Sequence, residues 1–188
     1  MTRRASQVVL IVSTLGASWL GMQTIHELGH VIGALVSGGI VERVVLHPLT
    51  ISRTDLSHNP QPLLVVWAGP ILGCLLPVLL GQIARWCHWS LSFLLRFFAG
   101  FCLLANGLYI GIGSFDRVGD CGEMLRHGSS SWLLWVFGAV TAPMGLWLWH
   151  GQGPQFGWGG EVIAPGALRT SMFAAIGLLT AGLLVGGR

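Results

Sequence analysis

Lysine is absent from this 188-residue chain, tyrosine occurs once, and charged side chains make up only 9% of it, where a soluble domain carries about 25%. With hydrophobic residues at 53% and a mean hydropathy of +0.70, that shortage of charge excludes a soluble globular domain and indicates an integral membrane protein. The ten basic residues are all arginines, scattered without a basic run, so nucleic-acid binding has no support. Cysteine is scarce as well. Cys74, Cys87, Cys102 and Cys121 show no Cys-x-x-Cys spacing and form no disulfide framework. They read as small apolar residues, with Cys121, beside Asp120, a minor candidate for a thiolate ligand. The Gly151–Gly160 stretch reads as a flexible loop, and without a phosphate-loop lysine it gives no reason to expect a nucleotide. No repeat or coiled coil is present.

What the chain does have is apolar length. Five segments, at 8–36, 62–84, 91–112, 131–150 and 168–186, approach or exceed the roughly 18–20 residues that cross about 30 Å of hydrocarbon as a helix. Trp86, Trp89, Trp132, Trp147 and Trp149 lie at segment ends, where indoles favour the interface. The short joint at 85–90 predicts that the second and third helices form an antiparallel hairpin. Met1-Thr2-Arg3-Arg4 and the apolar residues after it have the outline of a signal peptide, but the apolar run continues past any cleavage point, so a retained first span is expected. Arginines divide five against five between the two sides of the expected topology, which leaves orientation open.

Inside the first apolar segment lies Gln23-Thr24-Ile25-His26-Glu27-Leu28-Gly29-His30. Ionisable groups within a membrane helix cost several kcal/mol unless a partner, a cavity or a metal compensates them, so this stretch reads as a functional site. His26 and His30 stand four apart and share one helix face, with Glu27 beside them. Two neutral imidazoles and a non-ligating carboxylate are what a zinc hydrolase needs: His26 and His30 as Zn2+ ligands, Glu27 as general base. Gln23 extends the polar stripe and is a candidate to hydrogen-bond a ligand ring or a bound peptide. A third protein ligand must come from elsewhere.

After the first helix, Ser37-Gly38-Gly39 stops the segment, and Ile40–Ser52 reads as a short hairpin or two irregular strands either side of His47-Pro48. His47 and His58 read as exposed loop histidines. Gly29 and Gly33 on the first helix, and Gly69 and Gly73 on the second, offer small faces for close helix approach. Pro70 removes an amide donor and frees a carbonyl near the polar site. Beyond the third helix, Asp116, Asp120 and Glu123 gather three of the chain's seven acidic residues, among glycines at 119 and 122.

Together, His26-Glu27-Leu28-Gly29-His30, Ala68-Gly69-Pro70 and the acidic Gly-containing turn after the third helix resemble the site-2 protease family of intramembrane zinc metalloproteases, over roughly residues 15–127. The resemblance implies an all-α polytopic membrane protein of about five transmembrane helices, with a three-helix metalloprotease core and a β-hairpin-like segment between helices one and two. It divides the chain into a catalytic core at 1–127 and a C-terminal transmembrane pair at 128–188. It also implies a third zinc ligand from an Asp in the 116–120 region. Asp120 is the choice, because Asp120-Cys121-Gly122 looks like a diverged Asp-Gly-Gly turn; Asp116 is the alternative. The family's Asn-x-x-Pro element is missing, with Asn106 lying well upstream as a candidate substrate-binding residue. The implied activity is hydrolysis of a peptide bond in or near a transmembrane segment of a membrane-protein substrate, the reaction of regulated intramembrane proteolysis. No nucleic acid or nucleotide is expected as partner, and the Arg-only basic content suggests a prokaryotic cell membrane. Two other classes stand beside this reading: an inactive membrane scaffold of the same fold that holds a partner helix, and an ion or proton transporter. The transporter is disfavoured by the absence of repeated halves.

Overall fold

A computed structural model of the protein describes residues 2–46, 48 and 52–186. Its elements in order are α1 (Arg3–Val36), β1 (Ile40–Val45), β2 (Arg53–His58), α2 (Pro62–Trp86), α3 (Ser92–Asp116), α4 (Gly119–Arg126), α5 (Ser131–Trp149) and α6 (Pro165–Gly186). Five of the six helices, all but α4, are long and apolar enough to cross a membrane, which makes the chain a multi-pass membrane protein.

Helix boundaries depart from the expected spans where capping, not hydropathy, decides them. α1 starts at Arg3 because the Thr2 hydroxyl accepts from Ala5 N at 3.3 Å. It stops at Ser37, and Gly38, at φ +80°, turns the chain into β1. α3 runs on to Asp116 and ends only where Arg117 takes the left-handed conformation, at φ +55°. The second strand also lies further along than the residues just after Pro48. β2 begins at Arg53 and pairs antiparallel with β1, from Val45 opposite Arg53 to Ile40 opposite His58. The Gly151–Gly160 stretch is more ordered than its glycines suggest. Two short 3-10 turns, Gly153–Phe156 and Trp158–Gly160, seat Phe156 in an apolar cluster with Leu10, Leu94 and Ala167.

Glycines set how closely the helices approach. A Cβ on Gly33 would lie 2.8 Å from the Ala68 methyl, and one on Gly29 would run into the Ala68 carbonyl, so α1 and α2 meet along these small faces. The connection at 87–91 folds α3 back along α2, with Gly81 against Leu95 and Gly73 against Asn106. On its other side α3 packs against α5 through Gly107, Gly111 and Gly138. α6 lies along the first half of α1, where Ser13 and Ser171 hydroxyls are 2.8 Å apart. Laid out by contact, the long helices follow the order α6, α1, α2, α3, α5. Trp149 differs from the other segment-end indoles: it stacks on Phe97 at 5.0 Å and donates to Phe97 O at 2.9 Å, so its work is packing.

Candidate metal centre

The second half of α1 carries Gln23, His26, Glu27 and His30 into the interior, all of them buried. Each imidazole is oriented by a fixed acceptor. His26 Nδ1 donates to Asn106 Oδ1 at 2.7 Å, and Asn106 is itself locked, since its Nδ2 donates to Cys102 O at 2.9 Å. His30 Nδ1 donates to the Val65 carbonyl at 2.9 Å. That carbonyl is one residue before Val66, whose helical donor Pro70 removes. A neutral imidazole with its proton on Nδ1 presents a lone pair on Nε2, so both rings offer acceptors to one point.

Asp120 arrives at that point from α4. Its Oδ2 lies 2.8 Å from His26 Nε2 and 3.3 Å from His30 Nε2, and one ligand atom from each of the three residues falls within a 4.8 Å cluster. Burial pushes the Asp120 carboxyl up. The contacts with His26 and His30 outweigh that and hold it well below the usual carboxylate range, so it is an anion. At 2.8 Å the His26 Nε2–Asp120 Oδ2 contact is a hydrogen bond when the ring carries its proton on Nε2; with both rings in the Nδ1–H tautomer, three acceptors face one another and call for a cation between them.

The local sequence explains how α4 delivers this group. Arg117 breaks α3, and Gly119, at φ +57°, restarts the chain in a conformation that disfavours side chains. A Cβ there would also strike the Tyr109 hydroxyl. That hydroxyl accepts from Asp120 N at 3.0 Å, tying the first turn of α4 to α3. Behind it Cys121 is fully buried and donates from Sγ to Tyr109 O at 3.1 Å. Burial, with the neighbouring Asp120 charge, pushes this thiol up to about 11. Cys121 thus packs away from the cluster. The acidic group is split by the fold: Asp116 is exposed at the end of α3, while Glu123 pairs with Arg126 and lies 3.3 Å from His127.

Glu27 stands next to the histidines with one oxygen taken, because Thr54 Oγ1 on β2 donates to its Oε2 at 2.7 Å. Gly69 supplies the floor under His30, since any Cβ there would press into the ring. His26, Glu27, His30, Thr54, Asn106 and Asp120 line a cavity of about 1040 Å³ bounded by α1, α2, α3, α4 and β2. His58 is exposed and is not among the cavity's lining residues; His47 lies outside the described residues.

No family model, no curated protein and no solved structure matches this chain.

Two imidazoles and a carboxylate are a donor set compatible with a divalent metal such as zinc. Ligand atoms bound at about 2.0–2.1 Å in a tetrahedron stand roughly 3.3 Å apart, against Nε2–Oδ2 separations of 2.8 and 3.3 Å and a cluster that spans up to 4.8 Å, so small side-chain shifts would be needed to seat an ion. Both rings also have the outer hydrogen bonds that zinc-ligating histidines carry. Sequence reasoning missed Thr54, the Val65 carbonyl and Tyr109. Thr54 and Val65 lie in segments with no motif, and nothing short of the tertiary arrangement marks them.

Proposed function

We propose that this protein is an intramembrane zinc metalloendopeptidase of the site-2 protease type, hydrolysing a peptide bond within or near a transmembrane segment of a membrane-protein substrate. The observation that carries this reading is the convergence of three acceptors, His26 Nε2, His30 Nε2 and Asp120 Oδ2, beside a buried glutamate at the wall of a peptide-sized cavity. Zinc bound to these residues supplies a Lewis acid that polarises a carbonyl and acidifies water.

The chain's own residues do the rest. Asn106 and the Val65 carbonyl hold the two rings in the ligating tautomer. Glu27, with Oε2 steadied by Thr54, uses its other oxygen to take a proton from the attacking water and returns it to the departing amine. β2 contributes Arg53, Thr54 and Leu56 to the cavity wall and, among the described residues, pairs on one side only, with β1. A locally unwound substrate segment adds to its free edge as a third strand. The Arg-only basic content fits a prokaryotic cell membrane.

The deciding experiment is zinc content, by elemental mass spectrometry, of the detergent-purified protein and its His26→Ala, Asp116→Asn and Asp120→Asn variants. About one zinc per chain is expected in the wild type and in Asp116→Asn, with loss in the other two. Glu27→Gln should keep zinc and retain substrate uncut. Wild-type protein that takes up no zinc even after reconstitution would overturn the reading and favour a membrane scaffold.

A further inference from the structure

Four buried side-chain polar atoms meet no hydrogen-bond partner among the described residues: Thr14 Oγ1, Gln23 Nε2, Asn59 Oδ1 and Gln152 Oε1. Two of the four, Gln23 Nε2 and Asn59 Oδ1, belong to residues that line the one cavity holding His26, His30 and Asp120. Gln23 is 6% exposed and precedes His26 by one turn on the same helix face. An unsatisfied amide at such a place is costly in the free protein. That cost falls when a group in the cavity, an ordered water or a ligand, meets the amide.

We infer that Gln23 and Asn59 are the main-chain clamps of the substrate site, Gln23 Nε2 donating to a peptide carbonyl and Asn59 Oδ1 accepting from a peptide N–H. The inference rests on the metalloprotease reading and names what that site holds: an extended peptide backbone, independent of its side chains. Successive residues of an extended peptide turn their N–H and C=O groups to opposite sides. Groups facing β2 are met by its free edge. Groups facing away would be stranded in an apolar cavity, and Gln23, on α1, supplies the donor that one such carbonyl needs. Asn59 directly follows His58, the last residue of β2, so its acceptor continues the strand's hydrogen bonding past the end of the ladder. A donor and an acceptor together match a peptide; an ion or a lipid tail uses at most one of them.

Two probes separate the clamp from the metal. Acetohydroxamate chelates the metal and carries no peptide, whereas a tripeptidyl hydroxamate adds backbone groups to the same chelating head. Both are titrated against the full-length, Co2+-loaded protein in detergent, following the visible cobalt bands, for the wild type, Gln23→Leu and Asn59→Leu. Each variant should bind the tripeptidyl hydroxamate about tenfold more weakly and acetohydroxamate as the wild type does. Gln23→Leu should also melt at a higher temperature than the wild type, since it removes the unsatisfied amide at similar volume. Equal tripeptidyl affinity in all three proteins would overturn the inference, as would parallel loss of both probes, which would mean the variants act through the metal. A lower melting temperature for Gln23→Leu would also count against it, by showing that the amide already has a structural partner. Cobalt uptake failing in the wild type would instead remove the metalloprotease reading itself, and the clamp with it.

Discussion

Replacing Asn106 with alanine tests how far the proposed metal centre depends on a residue that would not touch the metal. Asn106 is 1% exposed, and its carbonyl takes the His26 Nδ1 proton at 2.7 Å. Alanine leaves that N–H buried without an acceptor, a penalty of about 1–3 kcal/mol. The imidazole can avoid it by moving the proton to Nε2, which abolishes its lone pair at the cluster. Loss of such an outer partner lowers metal affinity about 10- to 100-fold, or about 1.4–2.7 kcal/mol, so two independent routes give the same size of effect. The assay is competition for Zn2+ against a chromophoric chelator, with circular dichroism to confirm unchanged helix content. Asn106→Asp keeps an acceptor for Nδ1 and should hold affinity within about threefold of the wild type. If Asn106→Ala bound zinc as tightly as the wild type while His26→Ala did not bind it, the ring would not need its acceptor, and the reasoning on tautomers would be wrong.

Thr54→Val should leave zinc content unchanged and lower peptide turnover about tenfold by releasing Glu27 Oε2, while Thr54→Ser restores it, measured as kcat on a membrane substrate. Gly69→Ala pushes a methyl into the His30 ring; overpacking of this kind costs about 1–3 kcal/mol, to be read as a fall in melting temperature together with weaker zinc binding. Cys121, fully buried and with its thiol pushed up to about 11, should resist alkylation at pH 8 while exposed Cys87 reacts, followed by peptide mass spectrometry. Because burial raises the Cys121 value, its reactivity should increase only as the pH climbs towards 11.

The legible parts of this protein are those that hydropathy and local spacing encode. Spans needed only apolar length, and the His26–His30 pair needed only helical periodicity. Asp120 was reached through a resemblance of its local turn, since no periodicity links residue 120 to residues 26 and 30. α4 was illegible for a different reason: Gly119 and Gly122 mark a loop by composition, yet the segment is helical because Tyr109 anchors its first turn and Met124 packs into the core. The strand register was missed because the alternation either side of Pro48 is weak, and β1 chooses its partner through the tertiary arrangement. Thr54 and Asn59 follow from that register and could not be found before it.

On the proposed reading, the length of α1 bears on where in the bilayer peptide hydrolysis would run. At 34 residues the helix is about 51 Å long, well beyond a hydrocarbon slab of about 30 Å. From Arg4 to His26 the axial rise is about 33 Å. With Arg4 at one membrane surface, the histidines would stand near the opposite surface, and ordinary tilt would move them inward by only a few ångströms. Bulk water would then need to cross only a few ångströms to reach a scissile bond held there, without a long channel through the bundle. A protease acting at that depth would divide its substrate unequally: one product would keep nearly the whole membrane anchor, and the other a stub too short to hold it in the lipid.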